Sequence, residues 1–157
     1  MGLLVVDNQF LPEAIALVKQ ARKEICISSF KLEISDKPRG RGLNDFFDEV
    51  ITKAKEGIKV KVLFNWHDDR RSVPKTNEGA ARSLRNHGAD VRYLKNNRCC
   101  HAKILMIDRE KILLGSHNLS IRSTQANFEM SYIIPDPETS AQVSVVFEKI
   151  FAGAKQI

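Results

Sequence analysis

Residues 101–120 read HAKILMIDREKILLGSHNLS, and their polar members are of types that handle phosphate. His101 and Lys103 are two apart, so on a strand they share a face, and the apolar ILMI that follows buries that strand in a sheet. Both polar groups then emerge at one rim. The chain turns near Arg109 and Glu110 and returns through ILL to Gly115, Ser116, His117 and Asn118. An ammonium and an amide can hold anionic oxygens, Gly115 lets the backbone come close, and a neutral imidazole can attack phosphorus.

Register decides which residues meet. A two-residue turn of Arg109 and Glu110 sets Lys103 opposite Ser116 and His101 opposite Asn118, whereas a three-residue turn sets His117 opposite His101. The turn lacks Asn-Gly or Asp-Gly, so spacing alone leaves both registers open.

The elements that must position this stretch alternate between strand and helix patterns. Strands are expected at 3–6, 24–30, 57–66, 89–95 and 127–135, besides the two runs above. Helices are expected at 11–22, with Leu11, Ile15 and Val18 on one face, at 43–56, with Phe46, Phe47, Val50, Ile51 and Ala54 inward, at 78–86, and at 138–153. Thr76 or Asn77 is read as a helix cap. The early βαβ pattern implies parallel pairing and the closely spaced later strands antiparallel or mixed pairing. The reading is α/β: a mixed β-sheet flanked by helices on both faces, in a single domain over 1–157 with no linker or repeat.

Composition narrows the function classes. A chain of 157 residues, 43% hydrophobic and 28% charged, is that of a globular protein, and no apolar run approaches the ~20 residues that span a bilayer. The start MGLLVVDNQF has neither a basic leader nor a myristoylation signal, so a cytoplasmic location is expected. Three cysteines, Cys26, Cys99 and Cys100, without a CxxC indicate neither a disulfide framework nor a zinc site. The formal charge of +6 and a pI near 9.3 make a polyanion a fitting partner.

The string His101-x-Lys103-x4-Asp108-x6-Gly115-Ser116-x-Asn118, with Glu129 beyond it, resembles the HKD signature of the phospholipase D superfamily. The resemblance extends over nearly the whole chain through EICISSF, GIKVKVLF and ADVRYLK. It implies a phospholipase D-like fold and a catalytic set of His101, Lys103, Asn118, Glu129 and Ser116. His101 would form a phosphohistidine, Lys103 and Asn118 would hold phosphate oxygens with Ser116 assisting, and Glu129 would orient an active-site imidazole. Asp108 and Gly115 match the motif as structural residues. No metal or other cofactor is implied.

The chemistry needs one histidine to attack and another to protonate the leaving oxygen, and the chain has one motif. Single-motif members of the family complete the site across a homodimer axis, and that is the expectation here. His117 is read as a rim residue without a catalytic duty, with substrate contact or a second histidine of the same chain as alternatives. Arg39, Arg41, Arg70, Arg71 and Arg98, with Lys75 and Lys95, could line a nucleic-acid groove. His67 and His87 are read as surface residues, although His67 with Asp68 and Asp69 superficially suggests a metal group. Phe30 and Trp66 are read as core residues, with base stacking as the alternative.

The function expected is a metal-independent phosphodiesterase, an endonuclease acting on DNA or RNA as a homodimer without a membrane. A phospholipid-processing enzyme and a nucleic-acid-binding dimerisation module of a larger machine are the alternatives.

Overall fold

The computed structural model describes residues 1–66, 74–94 and 98–157, and the side chains among them except those of 74 and 75. Its strands are β1 (Leu3–Val6), β2 (Glu24–Ser29), β3 (Lys59–Phe64), β4 (Asp90–Tyr93), β5 (Ile104–Ile107), β6 (Lys111–Gly115), β7 (Met130–Ile134) and β8 (Lys155–Gln156). The helices are α1 (Phe10–Gln20), α2 (Arg41–Lys55), α3 (Pro74–Asn86), α4 (Ile121–Gln125) and α5 (Pro137–Gly153). Among the described residues the strands form one mixed sheet in the order β1-β7-β6-β5-β2-β3-β4-β8.

Strand alternation divides the apolar residues between two cores. Ile25, Ile27, Val62, Phe64, Leu105, Ile107 and Leu113 face α1, α2 and α3, which contribute Phe10, Leu17, Val18, Leu43, Phe46, Phe47, Val50, Ala80, Ala81 and Leu84. Cys26, Leu63, Met106 and Ile112 face the other way, onto Phe147 and Phe151 of α5. β2, in the middle of the sheet, is buried throughout. The expected helices on both faces are present, with α1, α2 and α3 on one side and α5 on the other.

The parallel and antiparallel halves divide where the connections change length. β2, β3 and β4 are parallel, joined through α2 and α3, whereas β5, β6, β7 and β1 pair antiparallel beyond β2. β1 corrects the simplest βαβ expectation: it runs in the direction of β2 but sits at the sheet edge, paired with β7 and with three strands between it and β2. Helix bounds shift slightly. α1 starts at Phe10, which with Ala14, Leu17 and Val18 makes its buried face, leaving Leu11 and Ile15 half-buried. α3 begins at Pro74, so Asn77 lies inside it and is not its cap. The short α4, started by Ser120 accepting from the Ser123 N–H, and the two-residue β8 have no counterpart in the sequence reading.

None of the helices among the described residues is long and apolar enough to cross a membrane. Cys26 and Cys100 are buried, Cys99 is exposed, and all three are free.

Candidate active site

The hairpin of β5 and β6 positions the motif. Ile104 pairs with Leu114 and Ile107 with Lys111, so the turn occupies Asp108, Arg109 and Glu110. Asp108 and Arg109 take left-handed backbone conformations, φ 52° and 59°, which lets the chain reverse there without glycine. This decides between the two registers. Lys103 lies level with Gly115 and not with Ser116, and continuing the register sets His101 level with His117.

That second pairing does not bring two histidines together. His117 is buried, 2% exposed, with its ring stacked on Phe10 at a centroid distance of 4.4 Å. Its Nδ1 is 2.8 Å from Ser131 Oγ and its Nε2 3.1 Å from the Asp7 carbonyl oxygen. The carbonyl can only accept, so Nε2 carries the hydrogen and Nδ1 accepts from the serine. Burial holds the imidazole below its ordinary pKa, against the pull of the Asp7 carbonyl and nearby carboxylates. Neither the rim position nor the substrate contact expected of His117 stands, because the side chain turns into the core on the α1 side.

His101, by contrast, is exposed, and its ring lies 5.4 Å from that of Phe30. Lys103 is buried behind it. Its Nζ donates to the His101 carbonyl at 2.6 Å and sits 5.8 Å over the Phe30 ring. Burial lowers the lysine pKa, opposed by Cys99, Cys100 and Glu129. An ammonium has three N–H donors, so this arrangement leaves further ones for an anion arriving at the rim.

The remaining motif residues form one connected set. Ser116 Oγ donates to Glu129 Oε2 in a short hydrogen bond and accepts from the Met130 N–H at 3.1 Å. Ser123 Oγ donates to Glu129 Oε1 at 3.0 Å and accepts from the Asn118 N–H at 2.8 Å, while Asn127 Nδ2 also donates to Oε1 at 2.9 Å. Burial disfavours the Glu129 charge, but the donors Ser116, Asn127 and Ser123 outweigh it and hold the carboxyl below the usual range. Asn118 Oδ1 accepts from the Lys31 N–H at 3.3 Å, which leaves Nδ2 as the donating end of the amide. The Glu129 donors are thus hydroxyls and an amide of its own chain, not an imidazole, and Ser116 is committed to Glu129 and β7. Ser123 was missed from sequence; its signal is Ser120-x-x-Ser123 opening α4.

Gly115 is needed for another approach than that of a ligand. A Cβ there would overlap Ser131 Oγ and the Met130 carbonyl oxygen, so it is β7 that comes close. Asp108 stands at the far end of the hairpin, where its carboxylate accepts from the N–H groups of Arg22, Lys23 and Glu24 at 2.8–2.9 Å.

Of the expected groove residues, Arg39 and Arg41 are exposed where a 3-10 turn leads into α2, and the Arg39 carbonyl accepts from Gln125 of α4. Arg98 is exposed and lines, with His101, an apolar groove of about 640 Å³ floored by residues such as Leu94, Ile104, Val143 and Phe147. His67, Asp68, Asp69, Arg70, Arg71, Lys95 and the Lys75 side chain lie outside the described residues. His87 sits at the end of α3 on the Ser83 carbonyl, and Trp66 stacks on Tyr93 at 5.0 Å.

Among the described residues one cluster has metal-ligand types, Glu24, Cys26 and Glu148. Its charges are already answered: Lys61 Nζ lies 3.4 Å from Glu24 and 2.6 Å from Glu148, and Arg109 bonds both carboxylates. Burial and the neighbouring Glu24 push the Cys26 thiol far up, so it offers no thiolate. The cluster is an ion-pair network pinning α5 to the sheet.

A family model described as cardiolipin synthase, PLD-like domain, matches residues 14–151. The chain belongs to the phospholipase D superfamily. Cardiolipin synthase 1 of Staphylococcus epidermidis is 33% identical over 110 residues, 70% of this chain and 22% of that protein. The phospholipase D-like chain thus spans about a fifth of that curated relative. Its fold matches Nuc, a phospholipase D family member from Salmonella typhimurium, with a TM-score of 0.81 and 15% identity, over all of this chain and 99% of that one. TrmBL2, an archaeal chromatin protein with a novel mode of DNA binding, is similar in fold at a TM-score of 0.65 and 15% identity, over all of this chain and 55% of that one.

Proposed function

We propose that this chain is a metal-independent phosphodiesterase, an endonuclease that cuts DNA or RNA as a homodimer through a phosphohistidine. The observation that carries the reading is the contrast between the two motif histidines. His101 stands exposed at the rim beside the Lys103 ammonium, whereas His117 is buried and bonded at both ring nitrogens.

In the proposed reaction an imidazole nitrogen of one His101 bonds to phosphorus, and the P–O bond to the leaving nucleotide breaks. That oxygen takes its proton from a second imidazole, which then accepts a proton from the water that cleaves the phosphohistidine. Lys103 and Asn118 Nδ2 hold the phosphoryl oxygens as charge builds on them. Among the histidines of the described residues His117 is occupied and His87 sits at the end of α3, which favours His101 of another copy as the second imidazole. Glu129, fixed by Ser116, Ser123 and Asn127, orients an imidazole across that interface.

A surface suited to a second copy lies next to the site. Ile104, Leu114, Tyr132 and Leu4 form one cross-strand row on the α5 face of the sheet, and the last three are 38%, 44% and 53% exposed. Met130, also exposed, continues it towards Ser116, whose N–H bonds the Met130 carbonyl. Such a row of large apolar side chains marks an association face. The three free thiols suit the reducing, cytoplasmic location. Nucleic acid is favoured as substrate by the +6 charge and the exposed arginines.

A lipid substrate has one observation on its side. The apolar groove beside His101 could take an acyl chain, in line with the sequence similarity to cardiolipin synthase. The test is cleavage of labelled single- and double-stranded DNA and RNA in excess EDTA, beside phosphatidylglycerol vesicles, with wild type and His101→Ala. Cutting of nucleic acid that His101→Ala abolishes upholds the proposal. Turnover of lipid alone replaces it with the phospholipid enzyme, and binding of DNA without cutting replaces it with the binding module.

A further inference from the structure

Two buried asparagines outside the motif stand one contact away from His101. Asn65, directly after β3 and 2% exposed, accepts the N–H of Cys100 on its Oδ1 at 3.1 Å. Asn77, in the first turns of α3 and 1% exposed, donates from Nδ2 to the Phe30 carbonyl at 2.9 Å and to the Asn65 carbonyl at 2.8 Å. Its Oδ1 accepts from the Leu32 N–H at 2.9 Å. One amide therefore ties the ends of two neighbouring parallel strands, β2 and β3, whose last residues Ser29 and Phe64 are paired.

These bonds matter because His101 precedes its strand. β5 begins at Ile104, so the segment carrying the imidazole has no ladder to fix it. Asn65 supplies a partner for the N–H of Cys100, the residue just before His101, and Ser28 Oγ supplies one for the carbonyl of Ala102, the residue just after it, at 3.0 Å. Asn77 acts from the other side. It fixes the backbone of Phe30, whose ring rests against both the His101 ring and the Lys103 ammonium.

Among the described residues the Asn65 Nδ2 has no hydrogen-bond partner although it is buried. An unpaired buried donor is unfavourable, so what recommends asparagine here is the acceptor at the other end of the amide. Asn77 is the opposite case, since both of its Nδ2 hydrogens are used.

We propose that Asn65 and Asn77 are positioning residues for His101: Asn65 as an acceptor that sets the backbone before it, Asn77 as a double donor that sets the Phe30 ring against it. The proposal rests on the reading of His101 as the nucleophile. The two roles predict opposite responses to the same exchange, because aspartate keeps an acceptor and loses the donors. Displacing a nucleophile by about an ångström is enough to cost up to a hundredfold in rate.

The test uses bis(4-nitrophenyl) phosphate, a small diester with neither base nor acyl chain. Asn65→Leu, of similar volume without the acceptor, is expected to lower kcat about tenfold or more with little change in KM. Asn65→Asp is expected to stay within about threefold of wild type, and Asn77→Asp to fall as far as Asn77→Leu. Equal losses in Asn65→Asp and Asn65→Leu, no loss in either, or a change in KM alone overturns the proposal. The His101 ring resonances in ¹³C-histidine spectra and amide exchange at Cys100 are read on the same variants. If wild type turns over no diester, the phosphodiesterase reading fails by itself. The positioning claim is then judged by these signals, which should move in Asn65→Leu and hold in Asn65→Asp; unchanged signals in Asn65→Leu overturn it.

Discussion

The two ends of the β5–β6 hairpin use the same kinds of side chain for opposite ends. At the turn, Asp108 accepts three backbone N–H bonds, and Glu24, Lys61, Arg109 and Glu148 answer one another's charges. At the open end, roughly 20 Å away along the strand, Lys103 spends one bond on a carbonyl and His101 faces solvent. Polar groups that are saturated by their own chain stabilise it. Those left with unused donors or an open ring nitrogen are available to a substrate, so one sequence motif divides into a structural half and a chemical half.

The sharpest way to break this comparison is to exchange the expected effects. His101→Ala should lower turnover of whichever diester wild type cleaves by about a thousandfold or more while leaving thermal unfolding almost unchanged. Retained turnover would move the nucleophile elsewhere. Lys103→Ala should cost about a hundredfold in kcat, as expected for a donor aimed at developing charge, which steady-state kinetics on the same substrate will show.

At the turn, Asp108→Ala should do the reverse, destabilising the chain by about 1–3 kcal/mol in urea titrations while the folded fraction keeps its kcat. Burial opposes the Asp108 charge, but the backbone donors hold its carboxyl below the ordinary 3.8. The contribution is therefore complete above that pH and lost as pH falls through the folded-state value, where wild type and variant should converge.

His117 sharpens the comparison, since it belongs to the motif region yet sides with the structural half. Its pKa is held below the ordinary 6.5, so the unfolded chain takes up the proton first as pH falls. Wild-type stability should be complete above that value and decline beneath it, and His117→Gln should lose this part of the slope while still cleaving its substrate. Arg109→Ala should have the smallest effect, about 0.5 kcal/mol or less in the same titrations, because the guanidinium is half exposed and screened by solvent.

Periodicity was sufficient for the central elements. The strand at 24–30 and the inward Phe46, Phe47 and Val50 of α2 are where the pattern put them. It was insufficient for β1, since a short strand's pattern is the same at a sheet edge as beside its sequence neighbour. Asn77 shows the same limit for polar residues. An asparagine ahead of a helical pattern fits a cap, and only the approach of β2, β3 and α3 turned it into a tie between strands.

The motif was legible because spacing in a hairpin is local, and the family match over 14–151 agrees with it. Sequence by itself determined the α/β alternation, the family, and that His101 and Lys103 stand together at the end of a buried strand. Tertiary structure alone decided the register, through the left-handed Asp108 and Arg109, and with it the fates of the two histidines. A side chain's type follows from the gene, but whether its hydrogen bonds are already filled depends on what distant segments bring: Asp7, Phe10 and Ser131 close around His117, and nothing comparable closes over His101 among the described residues.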